Sequence, residues 1–370
     1  MRIYLLLMVI AAAVTYLATP VARLLAQRLN AVTPVRIRDI HTVPTPRLGG
    51  VAMFFGLALT LLIASQIEFL QPVFEDNLAW AIVLCGGLIC LLGVADDIWD
   101  LDWVTKLVGQ ILVAGALAWQ GVQLITFPIF GLTIGSSRLS LVATVLAVVV
   151  AINAVNWVDG LDGLAAGVIA IGGGAFFVYT YLLTTVTSPT DYANLATVVI
   201  ACLVGVCVGF LPHNFYPARI FMGDSGAMLL GLVTAAAAIV VTGQIDPGVV
   251  QTPQALPAFV PILLPVAVLM LPLLDVAITS LRRILAGKSP WHADRTHLHH
   301  RLLDHGHSHR RTVVIMYGWT AVFAFSAAAF AMFPTHWVAL VAGVGVILAA
   351  VLTVVRLPVR TANGWRRYTR

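Results

Sequence analysis

Apolar stretches of about 17–25 residues, the length that crosses a bilayer as a helix, recur along the whole chain with short polar breaks between them. About eleven are predicted, at 3–22, 50–68, 78–95, 107–126, 139–156, 164–183, 194–212, 226–243, 258–281, 313–333 and 337–355. No hydrophilic domain or internal repeat interrupts them. The pattern predicts an all-α, polytopic membrane bundle forming one domain over 1–370. Arg2 precedes the first stretch, but its apolar run continues to about Pro20 and a basic segment follows, which fits a retained helix and not a cleaved leader.

Composition agrees: 60% hydrophobic and 10% charged residues exclude an ordinary soluble domain. Cys85, Cys90, Cys202 and Cys207 all fall inside predicted spans, so packing is their expected role and not a disulfide framework or zinc knuckle.

Charge sets the orientation. Loops after odd-numbered spans, near 23–49, 95–106, 156–163, 213–225 and 282–312, share one face with the tail 356–370. Every Lys and Arg except Arg2 and Arg138 lies there. Positive loops stay cytoplasmic, which places the N-terminus outside the membrane and the C-terminus inside. The net charge of +5 follows from this topology and favours anionic membrane lipids. No soluble basic domain exists to bind nucleic acid. Most of the acids, and every histidine except His336, gather on the same face. A topology signal does not need them, so they mark function.

Asp96-Asp97, followed by Asp100, Asp102 and Lys106, suits either a solvated helix end or a cation-linked site, because adjacent carboxylates repel unless a proton or cation separates them. Its Asp-Asp-x-x-Asp pattern also fits a magnesium motif for prenyl diphosphates. Asn153, Asn156, Asp159 and Asp162 are spaced by three, and Gly160 and Gly163 end the helix near Val158. Two amides and two carboxylates at one helix end could hold Mg²⁺ and a base or ribose. Phe221-Met-Gly-Asp224-Ser-Gly opens the eighth span, where Asp224 would be a metal ligand with phosphates nearby. A serine-protease reading of Gly-Asp-Ser-Gly lacks that fold's partners. The loop from Arg282 to Thr312 is rich in Arg and His. It lacks a zinc-protease motif and suits phosphate oxygens, although positive-inside charge alone could also account for it. Arg47, before Gly49-Gly50 on a proline-rich turn, could face a phosphate.

Taken in this order, the motifs from about His41 to Arg311 resemble the polyprenyl-phosphate N-acetylhexosamine-1-phosphate transferases. His297-Leu-His299-His300-Arg301-Leu points to the WecA/TagO-type branch, not the MraY translocases. Ala227 departs from the Ser that many relatives carry after Gly-Asp-Ser-Gly. The resemblance implies a helical bundle in a bacterial plasma membrane, with a cytoplasmic active site. It would transfer N-acetylhexosamine-1-phosphate, GlcNAc first among the sugars, from a UDP-sugar to polyprenyl phosphate, releasing UMP. Mg²⁺ is the implied cofactor, with Mn²⁺ as the alternative. The implied partners are a UDP-N-acetylhexosamine, undecaprenyl or decaprenyl phosphate and membrane lipids, with a homodimer allowed. By motif match, Asp224 and Asn156 would hold metal. Asp159, Asp162, Asn214 and Phe221 would line the nucleoside pocket. Asp96, Asp97 and Lys106 would act at the lipid phosphate, and Arg47, Arg295, His297, His299, His300 and Arg301 would meet the diphosphate. An MraY-like transferase, a membrane prenyltransferase and a transporter are the competing readings. The transporter is disfavoured because Asp275 is the only acid deep in a span.

Overall fold

Among the described residues, the chain is helical where the hydropathy is continuous. The computed structural model describes residues 1–33, 44–124, 136–187, 194–243, 267, 270, 281–282, 285, 302–303, 306–330, 332–355, 360–361 and 364–365. Its helices are α1 (Arg2–Arg28), α2 (Gly49–Ala64), the short α3 (Gln71–Glu75), α4 (Leu78–Trp99), α5 (Trp103–Trp119) and α6 (Ser137–Val158). They continue with α7 (Leu164–Thr187), α8 (Leu195–Asn214), α9 (Gly223–Gly243), α10 (His309–Phe330) and α11 (Thr335–Val354). A minimal ribbon pairs β1 (Val32–Thr33) antiparallel with β2 (Thr45–Pro46), Val32 opposite Pro46. The ninth predicted span, 258–281, lies almost wholly outside the described residues.

The boundaries differ from expectation in an instructive way. The loop predicted at 95–106 is largely helix, since α4 runs on through Asp96 and Asp97 and α5 begins at Trp103; the one at 213–225 is trimmed at both ends, α8 reaching Asn214 and α9 starting at Gly223. Hydropathy falls at the first charge, whereas the backbone ladder continues until a cap or turn stops it. α5 starts at Trp103 because Asp102 caps it, its Oδ2 accepting from the N–H groups of Val104 and Thr105 at 3.1 Å each. The second span stops at Ala64 and the chain then bends by 100° toward α3.

α8 and α9 form the centre. In its apolar window α9 is 94% buried and α8 78%, against 11% for the peripheral α11. α1 lies tightly along α8, where Gly205 and Gly209 face the backbone of Met8 and Ala12 with no room for a Cβ. Small residues four apart allow this close approach within a membrane. The outer surface carries exposed Leu17, Leu91, Leu112, Trp119 and Val341, a density of apolar groups that suits lipid and not water. The C-terminal ends of α1, α4, α6 and α8 meet the N-terminal ends of α2, α5, α7, α9 and α10 at one pole of the bundle. The site is there.

Candidate active site at the convergent helix ends

Glycines let three helix ends meet. Gly93 of α4 lies against the backbone of Ser225, and Gly50 of α2 against that of Ser225 and Gly226. Gly49 and Gly50 donate their N–H groups to Phe221 O and Met222 O at 3.0 and 2.9 Å, and Phe221 N donates to Pro46 O at 2.8 Å. The Gly49-Gly50 signal in the sequence is therefore a requirement for contact with the α9 N-terminus. Phe221 is half-buried and held by its backbone from both sides.

α9 begins at Gly223, whose φ of +69° leaves no space for a side chain beside Asp97. Its first N–H groups have no intrahelical partner. Asp97 satisfies them from α4: Oδ1 accepts from Asp224 N at 3.0 Å and Oδ2 from Ser225 N at 3.2 Å. Asp97, expected at the lipid phosphate, thus faces the α9 terminus as a cap supplied by another helix.

Asp96, one residue earlier, points elsewhere. Its Oδ1 accepts from Leu101 N at 2.8 Å, closing the α4–α5 turn, while its Oδ2 lies 2.6 Å from Lys106 Nζ. Lys106 also reaches Asp224 Oδ2 at 3.1 Å. The Asp96 and Asp224 carboxylates are within hydrogen-bonding range of each other, and the Asn156 amide reaches Asp224. Asp96, Lys106, Asp224 and Asn156 therefore form one cluster from four helices. Asp100, with φ of +52° at the α4 C-cap, and Asp102 shape the turn instead. A prenyl-diphosphate motif needs Asp96 and Asp100 on one continuous helix face, and here the helix ends between them.

Asp159 occupies the α6 C-cap, where the helix was expected to end. Its carboxyl is pushed up to about 8, by burial first, then by the negative fields of Asp224, Asp97 and Asp162; Arg47 opposes them. Arg47 and Asp159 thus share the electrostatics of the cluster. Asn153 does not: its amide donates to Gln110 Oε1 at 2.7 Å and Val149 O at 2.8 Å, locking α6 to α5.

Asp162 and Asn214, expected along a nucleoside pocket, are 2% and 1% exposed and tie loops together. Asp162 Oδ2 accepts from Ala218 N at 2.9 Å. Asn214 Oδ1 accepts from Gly163 N and its Nδ2 donates to Ile220 O, both at 3.0 Å. They make the wall that carries Asp159. Sequence reasoning overlooked three further supports. Asp162 N donates to His309 Nε2 at 3.1 Å, the His309 ring stacks on Tyr216 at 4.5 Å, and Tyr317 Oη donates to Gly163 O. His309 was one basic-loop histidine among several, and Tyr317 lay inside a span, so neither carried a distinguishing signal. Arg295, His297, His299, His300 and Arg301 lie outside the described residues.

The donor set discriminates between metals. Among the described residues no three His, Cys, Asp or Glu side chains converge as a closed metal cage. Two carboxylates and an amide oxygen, around a lysine that supplies a single positive charge, are hard donors. They suit Mg²⁺, which keeps much of its water shell and takes one or two carboxylates plus substrate phosphates.

The sequence profile of glycosyl transferase family 4 matches residues 79–242, which include Asp96, Lys106, Asn156 and Asp224. The chain is 42% identical over 359 residues to a decaprenyl-phosphate N-acetylglucosaminephosphotransferase of Mycolicibacterium smegmatis, covering 96% of this chain and 88% of that protein. It is 30% identical over 312 residues to a probable undecaprenyl-phosphate N-acetylglucosaminyl 1-phosphate transferase of Bacillus subtilis, covering 84% and 80%. A phospho-N-acetylmuramoyl-pentapeptide-transferase of Desulforudis audaxviator is 30% identical over 267 residues, covering 64% of this chain and 77% of that protein.

Proposed function

The chain belongs to glycosyl transferase family 4 as a multi-pass membrane phosphotransferase acting on polyprenyl phosphate, and we propose that it moves N-acetylglucosamine-1-phosphate from UDP-N-acetylglucosamine to decaprenyl phosphate, releasing UMP. The choice of sugar and lipid rests on the longer and closer match to the decaprenyl-phosphate enzyme than to the pentapeptide transferase. The observation that carries the chemistry is Lys106 held between Asp96 and Asp224 at the junction of α4, α5 and α9.

In this reaction an oxygen of the lipid phosphate forms a bond to the sugar-bearing phosphorus. The bond from that phosphorus to the bridging oxygen breaks, and UMP leaves with its electron pair. Such a transfer needs charge neutralisation and in-line placement far more than a covalent catalyst. Asp224 and Asn156, with Asp96 beside them, would hold Mg²⁺, which when bound offsets charge on the diphosphate oxygens. Mn²⁺ would serve in the same seat. Lys106 exchanges one of its carboxylate partners for a phosphate oxygen as substrate enters. Asp96, released on that side, orients the attacking phosphate and takes any residual proton. Asp97 keeps the α9 N-terminus in place, so that the positive end of its dipole faces the phosphates. Arg47 would meet the diphosphate from the Asp159 side, and Phe221, half-buried, would stack on the nucleobase. Both Asp97 oxygens already accept from α9, which favours direct displacement over a covalent aspartyl route.

The pole that holds this cluster also carries Arg23, Arg28, Arg47, Lys106, Arg219, Arg310 and Arg311, whereas Arg2 and Arg138 stand at helix starts on the opposite pole. This supports a cytoplasmic active site and an external N-terminus. The test is UMP release by purified protein given decaprenyl phosphate and, in turn, UDP-GlcNAc, UDP-GalNAc and UDP-MurNAc-pentapeptide. UDP-GlcNAc should be the preferred donor, and Asp224→Asn should lose turnover by orders of magnitude and need more Mg²⁺. Turnover of the pentapeptide donor alone would overturn the sugar assignment. Near-wild-type activity of Asp224→Asn at limiting Mg²⁺ would overturn the metal assignment.

A further inference from the structure

At the same pole, the α1–α8 face carries a second cationic cluster. Tyr16 and Arg23 are seven residues apart on α1, about two turns, and share one side of it. That side meets the end of α8: the Tyr16 and His213 rings pack with centroids 4.7 Å apart, and His213 Nε2 lies 3.2 Å from Tyr16 O. Arg219 is brought to the same place by its N–H, which donates to His213 O at 2.9 Å. Arg23 and Arg219 both lie within electrostatic reach of the His213 ring.

Both arginines are exposed, and neither makes an ion pair with another described residue. Cations gathered without a carboxylate repel one another, most of all beside a low-dielectric medium. An anion from outside the chain would offset that repulsion. The neighbouring surface shows which kind. Tyr16 and Val9, 47% and 64% exposed and about two turns apart, share the Arg23 side of α1 and run from it toward the bilayer interior. A soluble anion has no use for that strip. An amphiphile does, with a phosphate on the arginine forks and acyl chains along the apolar side chains.

We propose that Arg23, His213 and Arg219 form a binding site for the phosphate headgroup of an anionic phospholipid, with its chains along Val9 and the ring of Tyr16. Arg219 lies in the loop between Asn214 and Phe221, so a bound lipid would brace the segment that leads into α9 without touching the reacting groups.

The test is native mass spectrometry of the full chain in micelles supplemented with equimolar phosphatidylglycerol and phosphatidylcholine. Wild type should retain phosphatidylglycerol preferentially. The double variant Arg23→Gln/Arg219→Gln should retain it at least tenfold less, with phosphatidylcholine adducts unchanged. Arg23→Lys/Arg219→Lys, which keeps the charge and guards against a folding defect, should fall between the two. Equal phosphatidylglycerol retention by wild type and the Gln variant would overturn the proposal. So would displacement of the lipid by inorganic phosphate, which would make this a site for soluble anions, or by decaprenyl phosphate, which would make it part of the acceptor path. Lipid retention is read without turnover, so the outcome is separate from that of the transferase assay.

Discussion

Asp97→Asn separates a capping carboxylate from a catalytic base. In the structure both Asp97 oxygens accept from the first N–H groups of α9, at 3.0 and 3.2 Å, in a setting where Ser225 is fully buried. Asparagine keeps the shape but has one acceptor oxygen, so its amide must turn N–H against N–H at the other position. Hydrogen bonds to a charged group contribute about 1.5–3 kcal/mol each, and the variant loses one of them together with the charge that favours the helix N-terminus. A loss of that size raises the open population of the first α9 turn by roughly one to two orders of magnitude. Hydrogen exchange on nanodisc-embedded protein should show it as faster exchange of the Asp224 and Ser225 amides, with exchange in the middle of α9 unchanged. Turnover should fall with it, because Asp224 sits on the same turn, and the Mg²⁺ requirement should rise. If turnover collapsed while exchange at Asp224 and Ser225 stayed at the wild-type rate, the capping role would be refuted and Asp97 would act on substrate directly.

Two glycines should behave in opposite ways. Gly93→Ala drives a Cβ into the Ser225 backbone and should cost about 1–3 kcal/mol, whereas Gly115→Ala, with nothing within 4 Å, should be neutral or gain up to about 1 kcal/mol from helix propensity; melting of the two variants side by side checks this. The raised Asp159 carboxyl, at about 8, gives a pH signature. Its folded-state value lies above the unfolded one, so the metal-free protein should lose stability as pH rises toward and through about 8. Burial is the larger cause of that rise, and bound Mg²⁺ would offset the part due to the neighbouring carboxylates, so the slope of melting temperature against pH should be steeper in EDTA than in Mg²⁺. The difference should vanish in Asp159→Asn, and a slope that persists there would assign the effect to another group.

The membrane-spanning pattern was legible because burial in a bilayer is a property of the segment itself: a helix too apolar for water needs no knowledge of its neighbours to be assigned. The same reasoning placed Asp96, Asp97, Asp159, Asp224, Arg47 and Lys106 at one pole, since charges must leave the hydrocarbon at the ends of spans. Gly49-Gly50 could be read as a fixed turn, but not as a seat for α9, because the partner of a glycine is not written beside it. The roles within the pole depended on such partners. Asp162 and Asn214 have the residue types of a binding site and yet tie loops to one another, because the backbone of Gly163, Ala218 and Ile220 lies within their reach. Asp96 and Asp97 are adjacent in sequence and chemically identical. Successive residues on a helix point about 100° apart, so one meets Lys106 from α5 and the other meets the bare N–H groups of α9. Which of the two faces the chemistry was decided only by where those helices came to rest.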